Sequence, residues 1–158
     1  MAAIEKEIGD LLRHYGLTIG TVESGTGGLI SHMITNVPGS SDYYKGTIVS
    51  YANETKMKIV GVKASSLKRY GAVSEQVAEE MAKGGKKVLN VDICISDTGI
   101  AGPSGATLGK GVGLFYLGMA NKEGVFNRKL ELAGSRLEIK KKVVETALEW
   151  LKEYLVSV

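Results

Sequence analysis

At 158 residues the chain is long enough to bury one proper core and fits a single domain spanning residues 1–158. Its formal charge of +3 is the small difference between 20 basic and 17 acidic residues, and the basic ones are scattered, so neither a nucleic-acid surface nor a membrane surface is indicated. The single cysteine, Cys94, forms no intrachain disulfide, which fits a reducing cytoplasm.

In chain order, residues 2–15 read as an amphipathic helix with Ile4, Ile8, Leu11 and Leu12 on one stripe. Thr18 to Glu23 reads as a strand and Gly27 to Ile34 as a helix, followed by a turn at Val37-Pro-Gly-Ser-Ser41. Lys45 to Tyr51 reads as a strand, Asn53 to Ile59 as a short helix, and Ser65 to Tyr70 as a further helical turn. Ser74 is a good N-cap for a helix over Glu75 to Leu89. Strands follow at Val91–Thr98, Val112–Met119 and Val125–Leu132; the last two are joined so closely, through Asn121-Lys-Glu-Gly124, that an antiparallel hairpin is expected. Ser135 caps a long final helix with Val144, Leu148, Leu151 and Leu155 inward. Together these elements predict a three-layer α/β/α fold around a mixed sheet of about five strands. No segment reads as a signal peptide, and no apolar stretch approaches the length of a bilayer span.

Two places carry chemistry. The first is Ser24, at the carboxyl end of the first strand and followed at once by glycines and a helix. Open α/β sheets keep their ligand sites at such strand ends. The backbone N–H groups of Thr26 and Gly27 are candidate oxyanion donors. A nucleophilic serine needs a base, and histidine does not supply one. His14 lies on the first helix. His32 is eight residues beyond Ser24, roughly 12 Å along a helix axis at about 1.5 Å per residue. Lys56 is the remaining candidate, five residues after Tyr51. A lysine serves as base only where burial or a neighbouring cation lowers its pKa, and most lysines are solvated, so spacing alone does not assign it.

The second place is the segment Asp97 to Gly113, in which seven residues are glycine or proline. Ordering so many glycines is costly, and close approach to a ligand is a plausible return. Thr98, Ser104 and Thr107 offer hydroxyls there, and Lys110 a charge; a mobile connection is the plainer alternative. Neither a phosphate-loop Gly-Lys-Ser/Thr nor a Gly-x-Gly-x-x-Gly after a strand is present, and no His/Cys/Asp/Glu grouping has metal-ligand spacing. Cys94, inside an apolar run, reads as a small core residue.

Six blocks occur in order: Glu23-Ser-Gly-Thr-Gly-Gly28, Val37-Pro-Gly-Ser-Ser41, Tyr51-Ala-Asn-Glu-Thr-Lys56, Gly71-Ala-Val-Ser-Glu75, Thr98-Gly-Ile-Ala-Gly-Pro103 and Gly134-Ser-Arg136. Together they resemble the C-terminal domain of the CinA (competence/damage-inducible) family over nearly the whole chain, in a stand-alone form. That family includes the nicotinamide-nucleotide amidase of pyridine nucleotide salvage. The resemblance implies hydrolysis of the carboxamide of nicotinamide mononucleotide, giving nicotinic acid mononucleotide and ammonia without metal or organic cofactor. It makes Ser24 the nucleophile, Lys56 its base, Tyr51 an assistant near the serine, and Arg136 a partner of the substrate phosphate. To these the backbone reading adds the Thr26 and Gly27 N–H groups as oxyanion donors and the Thr98–Thr107 loop, with Gly99, Gly102 and Ser104, as a substrate cradle.

Three positions depart from the family pattern: Gly25 where cysteine is usual, Ala106 where glycine is usual, and Gly111 where proline is usual. The first is expected to loosen the turn, and the others bear on specificity. A non-catalytic module that binds a nucleotide or a partner protein in the same pocket is the alternative reading. The expected partner is a small nucleotide; no residue identifies an interface for a homo-oligomer.

Overall fold

A computed structural model describes residues 3–158, and the start of the first predicted helix at Ala2 lies outside the described residues. The elements are α1 (Ile4–Tyr15), β1 (Ile19–Glu23), α2 (Leu29–Thr35), β2 (Tyr44–Val49), α3 (Asn53–Val60), α4 (Ala64–Tyr70), α5 (Glu75–Leu89), β3 (Ile93–Gly99), β4 (Leu114–Asn121), β5 (Gly124–Glu131) and α6 (Arg136–Ser157), with a short 3-10 turn at Ser40–Asp42. Every predicted element is present.

The five strands form one sheet in the order β2-β1-β3-β4-β5. β1 is parallel to both β2 and β3, while β4 is antiparallel to β3 and to β5. The β4–β5 hairpin pairs Asn121 with Gly124, as the short connection predicts. The sheet is mixed and is covered on both faces. α1, α2 and α6 lie over Ile19, Ile93, Ile95, Phe115, Leu117 and Met119. Val60, Val77 and Met81, from α3 and α5, cover Val22 and Cys94 on the opposite face. The inward residues of α1 and α6 agree with the predicted stripes: Ile8, Leu12, Val144, Leu148, Leu151 and Leu155 are buried.

The boundaries differ from the predicted ones for local reasons. β1 starts after Thr18 because the Thr18 N–H and hydroxyl are bound to the Asp92 carboxylate rather than to the ladder. α2 starts at Leu29 because Gly27 and Gly28 adopt left-handed φ values of 61° and 104°, which no helix admits. β2 ends at Val49, two residues early. Its partner β1 ends at Glu23, opposite Val49, so the carbonyls of Ser50 and Tyr51 have no ladder to join.

Sheet order sets the position of the functional site. The chain leaves β1 through α2 to reach β2 on one side, then crosses through α3–α5 to reach β3 on the other. The carboxyl ends of β1 and β3 therefore face a topological switch point, where connections diverge and leave a crevice. Ser24 follows β1 directly, and Gly99 ends β3.

Candidate active site

Ser24 is nearly buried, and its Oγ lies 3.0 Å from Lys56 Nζ. Lys56 is 1% exposed, on the first turn of α3. Its Nζ also donates to the Ser50 carbonyl at 2.9 Å and the Tyr51 carbonyl at 2.9 Å, the two carbonyls that β2 leaves unpaired. No carboxylate forms an ion pair with Lys56 among the described residues. Burial pushes the Lys56 amine below its ordinary value, and Asp97 opposes that push only where it is ionised. The three contacts match the three N–H donors of an ammonium; in the neutral amine two N–H bonds keep the carbonyls and the lone pair is left for the serine hydroxyl.

Beside this pair lies a cavity of about 310 Å³ lined by Gly25, Tyr51, Val73, Gly99, Ile100, Ala101, Ser104, Gly105 and Arg136. Arg136 is the first residue of α6, which is held there by a reciprocal cap: the Glu138 N–H donates to Ser135 Oγ and the Ser135 N–H to the Glu138 carboxylate. Its guanidinium donates to the Gly102 carbonyl at 2.8 Å and to the Tyr51 hydroxyl at 3.1 Å. The Tyr51 side chain is 61% exposed, so the phenol and the guanidinium together edge the cavity where it meets solvent.

The structure places Ser24, Lys56, Tyr51, Arg136, Gly99, Gly102 and Ser104 near one another. Tyr51 meets Lys56 through its carbonyl and Arg136 through its hydroxyl. Four expected contacts are differently employed. The Thr26 N–H donates to the Asp97 carboxyl at 3.1 Å, and the Gly27 N–H to the Ser24 carbonyl at 3.1 Å, so both expected oxyanion donors are already occupied. The Gly25 N–H has no hydrogen-bond partner among the described residues, and Gly25 lines the cavity. The Thr98 hydroxyl, on a residue 1% exposed, donates to the Ala72 carbonyl at 2.7 Å and fastens the segment before α5. Thr107 sits in an exposed turn closed by reciprocal backbone bonds with Lys110, away from the cavity lining. Both histidines are exposed, and neither lines the cavity.

Gly25 is explained by packing. A Cβ at that position would lie 2.5 Å from Cε2 of Phe115, whose ring fills the space against Gly25 and Gly99. The site turn is therefore filled from the β4 side rather than loosened.

Sequence reasoning missed Glu23 and Asp97 as a pair. Both are completely buried, joined by the Thr26 hydroxyl directly beneath Ser24. A period-two reading would have found them, since Glu23 shares a sheet face with Ile19, and Asp97 with Ile93 and Ile95. An acid on a buried face is a signal in itself.

The profile of the CinA C-terminal domain family matches residues 1–155. A CinA-like protein of Endomicrobium trichonymphae is 45% identical over 149 residues, 94% of this chain and 35% of that protein. A CinA-like protein of a Sulfurihydrogenibium strain is 42% identical over 98% of this chain and 38% of its own length. The chain thus spans under two-fifths of the length of these curated relatives. Among solved structures, the competence/damage inducible protein CihA from Agrobacterium tumefaciens superposes with a TM-score of 0.91 at 36% identity, covering 94% of this chain and 91% of that one. A competence or damage-inducible protein from Enterobacter asburiae gives 0.93 at 30% identity, covering 96% of each chain. With its family profile matched almost end to end and its site built at the same ordered blocks, this chain belongs to the CinA C-terminal domain family.

Proposed function

We propose that this domain is a serine amidohydrolase acting on the carboxamide of nicotinamide mononucleotide. The observation that carries the reading is the contact between Ser24 Oγ and a buried Lys56 amine with no carboxylate partner. A binding module gains nothing from burying a lysine against a serine, whereas a base needs its proton-free form to be favoured.

In this reading the Ser24 hydroxyl gives its proton to Lys56 Nζ as its oxygen attacks the amide carbon. The N–H of Gly25, a residue that lines the cavity, has no partner among the described residues and donates to the developing oxyanion, the role that the residue after a nucleophile plays in other serine hydrolases. Lys56 then returns the proton to the departing nitrogen, which leaves as ammonia, with the acyl group held as an ester on Ser24. A water molecule, deprotonated by Lys56, attacks the ester; the acid is released and the Ser24 hydroxyl is restored. Arg136, at the exposed edge, meets the phosphate, for which a guanidinium with N–H groups beyond its two present bonds is suited.

The test is ammonia release from nicotinamide mononucleotide by the wild-type protein and by Ser24→Ala. The wild type is expected to turn over, and the alanine variant to lose activity by orders of magnitude while keeping its thermal midpoint and its affinity for the nucleotide. Binding without turnover in the wild type would favour the module reading. Near-normal ammonia release from the variant would remove Ser24 as nucleophile.

A further inference from the structure

Two carboxyl groups, Glu23 and Asp97, are both 0% exposed at the carboxyl ends of adjacent strands. Thr26, itself 1% exposed, sets its hydroxyl between them, 2.7 Å from Glu23 Oε1 and in close contact with Asp97 Oδ2. A hydroxyl has one proton to donate. If both acids were ionised, one of these two oxygen–oxygen contacts would hold no proton at all, in an interior that water does not reach. One acid must supply it.

The surrounding donors decide which. Glu23 receives the Ile30 N–H at 2.8 Å, the Ser31 N–H at 2.9 Å and the Thr21 hydroxyl at 2.9 Å, spread over both of its oxygens. Those donors stabilise a charge. Asp97 receives the Thr26 N–H at 3.1 Å and a long contact from the Ser24 N–H at 3.4 Å. We propose that Asp97 is a positioning residue carried as the protonated acid: its O–H donates to Thr26, and Thr26 donates to ionised Glu23. This relay ties the turn bearing Ser24 to β3 and keeps a second buried anion away from Lys56.

The charged groups facing Asp97 are Glu23 of β1 and Lys56 of α3. Its ladder partner on β4 is Leu117, and the α2 backbone amides of Ile30 and Ser31 go to Glu23 instead. α6 brings Arg136, bound at Tyr51 and Gly102, and Lys140, whose ammonium lies by Gly27. Burial, first, and the Glu23 charge push the Asp97 carboxyl up to about 7, in accord with the proton count. The consequence for Lys56 rests on the serine–lysine reading above; the protonation of Asp97 does not.

Asp97→Asn tests it, since an amide keeps the shape and supplies a fixed N–H toward Thr26. Thermal midpoints of both proteins are measured from pH 4 to 8.5. The native state holds a proton that the unfolded chain loses above about 4, so wild-type stability falls relative to the variant as pH rises toward 7, then runs parallel. The variant is expected to gain several degrees on the wild type across that window. A variant that loses ground with rising pH, or a difference that stays flat, overturns the proposal.

Infrared spectra of the wild type give a reading that does not depend on the variant folding. A protonated-carboxyl band at pH 6, where exposed acids are ionised, is expected; its absence overturns the assignment. With nicotinamide mononucleotide as substrate, the part of the kcat/KM limb below about pH 7 keeps its position in Asp97→Asn, because a carboxyl already neutral there puts no charge on Lys56; a shift of that part to lower pH overturns the assignment. If neither protein releases ammonia but the midpoints diverge as stated, the amidase reading fails and the Asp97 assignment stands.

Discussion

Lys56 has two opposed demands placed on it. Its four-carbon stem is buried without a counter-ion, which costs stability at neutral pH, and that cost is what makes the amine available as a base. Because the folded-state pKa is depressed from 10.5, the native state binds fewer protons than the unfolded chain between the depressed value and 10.5, so this group's contribution to stability improves as pH rises through that window. Activity should follow the same ionisation. The kcat/KM of the wild type is expected to rise with pH through an apparent pKa well below that of a free lysine. Lys56→Arg is expected to lose at least about a hundredfold, the lower end of general-base contributions, because guanidinium keeps its proton. A flat pH profile, or substantial turnover by the arginine variant, would leave Lys56 a structural cation. The residue itself was visible in the sequence; its burial was not, since nothing in Asn53-Glu-Thr-Lys56 distinguishes a buried lysine from a solvated one.

Single elements aim the remaining groups. The N-terminus of α6 holds Arg136 at the cavity, and the cap formed by Ser135 and Glu138 fixes that first turn. Ser135→Ala is expected to cost about 1 kcal/mol, the usual value for an N-cap. Because Arg136 is the next residue, fraying there should raise KM for the nucleotide more than it lowers kcat. Denaturant titration and steady-state kinetics read the two effects separately. An unchanged KM would mean that the guanidinium is held by Gly102 and Tyr51 alone. The sequence announced this cap, and it announced the one on α5, where the Val77 N–H donates to Ser74 Oγ. Caps are local patterns of a few residues, so they survive being read without tertiary context. The end of β2 did not survive, because it depends on where the neighbouring strand β1 stops.

At the scale of the molecule, the sheet places its only cysteine out of reach. Cys94 is 0% exposed on β3, among Val22, Val77 and Met81, and burial pushes its thiol up to about 12. Alkylating reagents are expected to leave the native protein unlabelled and fully active, and to label it only after unfolding, as mass measurement would show. Inactivation by a thiol reagent under native conditions would contradict this. The element order, the hairpin, the sheet's composition and the family blocks were all determined by the sequence, since each rests on local periodicity, short connections or residue identity. Ser24, Tyr51, Lys56 and Arg136 were legible as candidates for the same reason. Only the tertiary structure decided which backbone groups are free. It occupied the Thr26 and Gly27 N–H groups, left that of Gly25 open, and turned Thr98 toward Ala72. It also joined Glu23 to Asp97 through Thr26, across 74 positions of chain. Hydrogen-bond partners and proton counts belong to groups that meet in space, and the order β2-β1-β3 is what makes the ends of β1 and β3 meet.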